Sequence, residues 1–395
     1  MKGKALLIII LVSLASFATA YTITILRIGH LKTTTITITA GETVQDHYLE
    51  SAKKLLNEVV DWVEGFRGLK LRKEVEIRVL TKEWVIEHWG KGFINLTEVR
   101  LEEVLLKYLL IIPEDFNLTE YKIGVSGYTI AASADHTIYL VREFFDPRDE
   151  LRAGAILAHE LTHILQGEYF QIPGPATMDE RNALNALIEG DANLVSSTYL
   201  AEHGGESKPL VESRLNTLDA LWLFPYIYGE SFVRYVYEHR GWDGVNALYR
   251  DPPRSTSQIL HPEKYLDGWK PISLDPPKTP SSCSLRLRDT LGEFFIRQMI
   301  RAHLDPSTAN RSAEGWLGDI VQICEKDDIY ILQWKIAWES EEDMREFLQA
   351  FRRILRDLDA EELGGGLWIL GDRRIRIEEL SENILLLTIS PVSAG

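Results

Sequence analysis

Cysteine is nearly missing from this chain. Cys283 and Cys324 are the only two in 395 residues, which excludes a disulfide-dense scaffold and an all-thiolate metal cluster. The pair leaves two possibilities open, one disulfide or two separately buried thiols. A basic face is also lacking: the formal charge is −16 and no Lys/Arg-rich stretch stands out. That argues against nucleic acid as a partner, because phosphate binding needs a basic footprint. There is no long low-complexity tract and no repeat at solenoid periods, which excludes wholesale disorder, collagen, coiled coil and repeat arrays. What remains is a chain of 45% hydrophobic residues, enough to bury a sizeable core in one large domain or two to three smaller ones.

Long apolar runs are absent except at the start. Lys2 and Lys4 precede an uncharged stretch from Ala5, and Ala18-Thr19-Ala20 supplies a small-x-small cleavage site, so residues 1–26 read as an export signal ending near Ala20. The competing reading is an uncleaved anchor, since no charge appears before Arg27 and the uncharged stretch is long enough to cross a bilayer of ~30 Å. Ser13, Ser16, Thr19, Thr22 and Thr24 weaken the second half and favour cleavage. Either way the bulk of the chain is expected outside the cytoplasm. Asn95, Asn117 and Asn310 open acceptor sequons, meaningful only where glycosylation occurs.

Residues 27–42 are Thr-rich with alternating Ile and read as an extended tether or a short strand, with the tether taken to run over 27–45. From Asp46 to Phe66, Leu49, Ala52, Leu55, Leu56, Val59, Val60 and Val63 recur at helical spacing, and Gly68 ends that helix. Val75–Leu80 alternates as a strand; a helix follows over 98–110, then strands at 128–130 and 137–141 joined by a turn at 134–136. Long helices are predicted over 149–166 and 178–203, with further helical stretches at 226–240 and 245–250. Pro271, Pro276, Pro277 and Pro280 mark residues 268–282 as a linker. Beyond it come a helix near 291–303, a strand near 329–338, a helix over 340–358 started by a Ser340 cap, and two terminal strands after Gly364–Gly366. Trp316, Trp334, Trp338, Phe294 and Phe295 read as a small core under a sheet, with a binding platform as the alternative.

The residues that carry chemistry are His159-Glu160-Leu161-Thr162-His163. Side chains four apart lie one helical turn apart, with β-carbons roughly 6 Å from each other, so two imidazoles can meet one ion at ~2.0–2.1 Å each. Glu160 can reach the ion's water without being a ligand. A catalytic zinc needs a third protein ligand and an open position. The next helix offers Glu189, flanked by Leu187, Ile188 and Ala192, where a carboxylate is costly to bury unless paired or coordinated. Asp191 and Asn193 are candidates for orienting the imidazoles, or ordinary helix polar residues.

His159–His163 followed by Glu189 in a Glu-x-Asp-Ala setting resembles the gluzincin branch of zincin metallopeptidases, the thermolysin-like class. A nearer resemblance is to uncharacterised exported prokaryotic proteins with the same HELTH-x-x-Q segment ending at Gln166, the Glu189–Ala192 run and a stretch like Ser255–Tyr265. Arg67-Gly68-Leu69 and Gly315–Asp319 belong to the same likeness, which covers most of the chain beyond residue 45. It implies zinc held by His159, His163 and Glu189, with Glu160 as the general base for water attacking a peptide carbonyl. It also implies an oxyanion donor from a later segment, His261 first and Tyr265 second, although His261 before Pro262 equally suits a loop cap. In that family the strand before the motif helix, here 137–141, is an edge that pairs with extended substrate. Tyr128 and Tyr139 beside it read as packing residues.

The expectation is therefore an α+β protein: a zincin-like metallopeptidase domain over 46–267, with a mixed sheet, an active-site helix and a third-ligand helix, then a smaller α+β domain over 283–395. Its cofactor is Zn2+, its partner a peptide or protein substrate, and its place extracytoplasmic, secreted or held to the membrane by residues 5–26. Two alternatives stay open. One is a silent cell-surface scaffold with a structural zinc; the other is a zinc amidase acting on non-peptide cell-wall amides.

Overall fold

The structure is a computed structural model that describes residues 42–281 and 283–392. The expected signal or anchor lies outside the described residues, as does the tether up to residue 41. Helix α1 (Glu42–Arg67) begins earlier than the pattern suggests, so the last residues assigned to the tether are helical. Its apolar stripe, Ala52, Leu55, Leu56, Val59 and Val63, is buried. Gly68, at φ +70, stops it by donating its N–H to the Glu64 carbonyl at 3.0 Å.

Strand β1 (Glu76–Leu80) leads through a short helix α2 (Lys82–Val85) and one π turn to α3 (Leu96–Tyr108) and α4 (Leu118–Ser126). The sequon asparagines Asn95 and Asn117 cap these two helices, their side chains accepting N–H groups of the first turn. Strands β2 (Ala131–Ala134) and β3 (Thr137–Val141) form a hairpin whose turn holds Asp135 in the left-handed region at φ 52. The sheet order is β1-β3-β2, with β3 parallel to β1 and antiparallel to β2.

This corrects one expectation. The strand at 137–141 is central, and the edges are β1 and β2. Ile138, Leu140 and Val141 are all fully buried, the continuous apolar run of a strand covered on both faces. The β2 edge, Ala131-Ala132-Ser133-Ala134, has small residues of low strand preference and carries little signal.

Helices α5 (Glu150–Tyr169), α6 (Met178–Glu202) and α7 (Thr217–Leu248) follow. Asp149 caps α5 and Thr177 caps α6. α7 unites the helical stretches expected at 226–240 and 245–250, and Gly241 (φ 61, ψ −166) is the break between them. From Ala153 to Gln166 every residue of α5 except His163 is buried, so α5 is a central helix rather than an amphipathic surface one. Two short helices, α8 (Thr256–Leu260) and α9 (Pro262–Leu266), end this part.

The C-terminal part comprises β4 (Ser284–Asp289), α10 (Gly292–Arg301), α11 (Pro306–Ala313), β5 (Trp316–Lys326), β6 (Ile329–Trp338), α12 (Glu341–Asp357), β7 (Glu361–Gly364), β8 (Leu367–Leu370), β9 (Arg373–Ser381) and β10 (Ile384–Pro391). Its sheet is antiparallel throughout, in the order β4-β5-β6-β10-β9-β8-β7. The α+β class holds, although β8, β9 and β10 replace the two terminal strands expected after the glycines. Trp316, Trp334 and Trp338 have no exposed surface and pack with Phe295, which makes them core and excludes a binding platform. Phe294 points the other way, 4.5 Å from Phe224 of α7. Ser340 caps α12 as its sequence suggests.

The described residues of 268–282 hold no helix or strand. They cross the sheet on β5: the Ile272 N–H donates to Leu317 O at 2.9 Å, and Gln322 Nε2 to Pro277 O at 2.9 Å. Cys283 and Cys324 form a disulfide that fixes this strap to the strand, contributing about 4 kcal/mol by loop closure on the chain-entropy model. The parts on either side share one hydrophobic cluster, in which Leu105, Leu106, Leu109 and Leu118 lie with Trp334 and Phe347.

Candidate metal centre

Three side chains from two helices meet at one point. His159 Nε2 and His163 Nε2, one turn apart on α5, are 3.0 Å from each other. Glu189 Oε2, from α6, lies 3.3 Å from the first and 3.4 Å from the second. Two imidazole nitrogens and a carboxylate oxygen within 4.8 Å could hold a metal ion, and among the described residues this is the one such group found. His159 and Glu189 are fully buried; the His163 side chain keeps 11% of its surface.

Close helix approach makes this possible. A Cβ on Gly190 would fall 2.2 Å from the Gly229 carbonyl oxygen, and one on Gly229 would fall 2.3 Å from Ala186 O. Any larger residue would push α6 and α7 apart. On the other side of α6, the Ser196 hydroxyl donates to Ala155 O at 2.9 Å, while a Cβ on Gly154 would lie 2.5 Å from the Tyr199 hydroxyl. Glu189 is thus carried on a helix clamped between α5 and α7.

Burial alone would hold the His163 imidazolium down, but Glu189 outweighs it and lifts the group to about 9. Burial would likewise raise Glu189; the two imidazoles override this and keep its carboxyl well below the usual carboxylate range. Beneath them, His163 Nδ1 lies 2.9 Å from Gln166 Oε1, and Gln166 Nε2 donates to Ile188 O at 2.9 Å and Asp191 Oδ2 at 3.4 Å. Asp191 is gripped by Arg67 through two bonds of 3.0 Å and accepts the Tyr249 hydroxyl at 2.7 Å. Arg67 also lies over the Trp242 ring at 4.2 Å. Of the two orienting candidates, Asp191 reaches the imidazole through Gln166, and among the described residues no hydrogen bond links Asn193 to the triad.

Glu160 is fully buried. Its Oε2 accepts the Ser133 hydroxyl at 2.8 Å, so edge strand β2 touches the carboxylate beside the triad. Its Oε1 and the Nδ1 of His159 have no hydrogen-bond partner among the described residues. A buried carboxylate oxygen without a donor is costly and suits a site that receives a water and a cation. The triad, with two neutral-capable nitrogens and one oxygen, fits zinc or a similar divalent first-row ion.

Among the described residues His261 pairs with Glu293 and Glu263 and not with the triad. It sits where α8 meets α9, its Nε2 2.8 Å from Glu293 Oε1, and this carboxylate raises its pKa. Tyr265 donates to Asp251 O at 2.6 Å. Tyr139 packs in a small cluster with Trp89, while Tyr128 is about half exposed. Sequence reading did not assign Ser133, Gln166 or Arg67 a part in the site. Gln166 and Arg67 had a signal, a polar side chain inside an otherwise apolar helical stretch and a cation followed by a helix-ending glycine; Ser133 had none.

A family model described as a domain of unknown function, DUF8575, matches residues 284–392. No curated protein matches the chain. Among solved structures, the chain is similar to a protein of Chloroflexus aurantiacus provisionally named a hydrolase and described as having a novel fold, at 17% identity and a TM-score of 0.39, over 65% of this chain and 98% of that one.

Proposed function

We propose that this protein is an exported zinc-dependent metallopeptidase of gluzincin type. One observation carries the reading: a buried carboxylate, Glu160, with one oxygen held by Ser133 and the other left without a donor, stands next to the His159–His163–Glu189 cluster. A zinc ion held by those three residues would supply a Lewis acid and an acidified water. Glu160 Oε1, beside that site, would be the group that accepts a proton from water and passes it to the leaving amine, and the Ser133 hydroxyl holds the other carboxylate oxygen. Because Ser133 belongs to β2, an extended peptide paired along this edge would run past Glu160. The disulfide is compatible with an extracytoplasmic location. No described helix is long and apolar enough to cross a membrane, so anchoring, if retained, belongs to residues 5–26.

Glu160→Gln tests the reading. The variant keeps its metal and loses roughly 10²–10⁴-fold in kcat on a peptide library, a chelator abolishing the parent's activity. Unchanged turnover would remove Glu160 from the mechanism, and cleavage only of non-peptide amides would turn the assignment to an amidase. A second reading, a structural zinc in a silent surface protein, is favoured by the complete burial of His159, Glu160 and Glu189; it gives no turnover in the parent. For His261 the pairing with Glu293 supports the loop-bracing role. His261→Ala then changes stability alone, whereas an oxyanion donor would lose roughly 10²–10³ in kcat.

A further inference from the structure

Gln166 makes contacts that no packing role requires. Its side chain is 3% exposed in the last turns of α5, and its amide uses both ends. The oxygen faces the inner nitrogen of one candidate ligand, His163, at 2.9 Å. The nitrogen donates at 2.9 Å to the carbonyl of Ile188, the residue directly before the candidate ligand on the second helix, Glu189. One amide therefore spans the two helices at the height of the site.

We propose that Gln166 is a positioning residue for the metal centre, setting both the tautomer of His163 and the distance between the ligand-bearing helices. This rests on the metal-binding part of the functional reading and not on peptide hydrolysis. The chemistry follows from the bond directions. An amide oxygen can only accept, so His163 Nδ1 must carry a proton, and the neutral ring that binds a metal then has its lone pair on Nε2, toward His159 and Glu189. The orientation of the amide is itself fixed, because Ile188 O and Asp191 Oδ2 are both acceptors and demand the NH₂ end. Histidine ligands are commonly oriented through a carboxylate or a backbone carbonyl. Here a neutral amide stands between the imidazole and Asp191, and Asp191 has its charge met by Arg67. The arrangement orients the ring without placing another full negative charge beside it. It also links the site to the end of α1, since Arg67 fixes Asp191 and Asp191 helps fix Gln166.

The test uses the full exported chain and three forms: the parent, Gln166→Leu, which is apolar and of similar size, and Gln166→Glu, which keeps an acceptor for His163. Zinc affinity is read by competition with a chromophoric chelator, and ligand geometry by the visible spectrum after cobalt substitution. Thermal unfolding of the metal-free forms monitors folding. Gln166→Leu should bind zinc roughly 10–100-fold more weakly and show an altered cobalt spectrum. Gln166→Glu should recover most of the affinity. A purely structural role would lower the metal-free unfolding temperature of both variants and leave zinc affinity and cobalt spectrum as in the parent; that result overturns the proposal, as does a parent that binds no metal. Zinc binding that depends on Gln166 in a protein with no peptidase activity would uphold the positioning role and sink the peptidase reading. If Gln166→Leu fails to fold, Gln166→Met takes its place: a roughly 10–100-fold loss of zinc affinity with an altered cobalt spectrum upholds the role, and parental affinity and spectrum overturn it.

Discussion

Gly190 and Gly229 face each other so closely that a methyl group on Gly190 would fall 2.2 Å from the carbonyl oxygen of Gly229. The contact is backbone to backbone, so no flexible side chain can yield. Glu189 is the neighbour of Gly190, and the contact therefore sets how far the carboxylate reaches toward the imidazoles. Gly190→Ala or Gly229→Ala should cost about 1–3 kcal/mol through overpacking and weaken metal binding in parallel. Gly65→Ala, on the exposed side of α1 with nothing near its Cβ, should instead stabilise by roughly 0.5–1 kcal/mol. Urea midpoints with metal titrations on the three variants check this. Equal behaviour would show that the glycine contact does not determine the site.

Arg67 and Asp191 are a buried ion pair, the side chains 1% and 0% exposed. Removing one partner of such a pair leaves an uncompensated charge and typically costs about 3–5 kcal/mol. Arg67→Met should fall in that range. Combined with Asp191→Asn the loss should be smaller than the sum, because the amide leaves no buried charge. A double-mutant cycle in urea measures the coupling; additive losses would contradict it.

Asp179, at the start of α6, is pushed up to about 8 by burial, with the Asp319 and Glu293 charges adding to it and the Thr256 hydrogen bonds opposing. Below its ordinary value of 3.8 both folded and unfolded states carry the proton. Between 3.8 and about 8 only the folded state does, so stability falls as pH rises across that window, by up to about 1.4 kcal/mol per pH unit from this group. Asp179→Asn keeps the oxygen that accepts from Thr256 and should flatten the decline between pH 5 and 8. Denaturant midpoints at several pH values decide it, and identical slopes would count against the assignment.

The sequence conveyed the helices best, because α1, α5 and α6 have apolar spacing bounded by Gly68, Asp149 and Thr177, residues whose local chemistry starts or stops a helix. The clustering of His159, His163 and Glu189 was legible for a related reason: helical spacing alone brings the two imidazoles together, and a carboxylate among apolar neighbours calls for a partner. The edge strand was not. Ala131–Ala134 has no alternating pattern, and its role depends on pairing with β3, a relation across the fold. Nor was the strand count of the C-terminal sheet, where β4 and β7 are exposed edges with little apolar signal. The Gln166 bridge lay out of reach because its two acceptors, Ile188 O and Asp191, belong to another helix.

The central claim is that His159, His163 and Glu189 together hold one catalytic zinc. Elemental analysis of the purified chain after zinc loading and desalting tests it most directly. The account predicts about one zinc per chain in the parent and in Glu160→Gln, and a clear loss in Glu189→Gln. A parent without bound metal, or a Glu189→Gln variant that holds it as tightly as the parent, would contradict it.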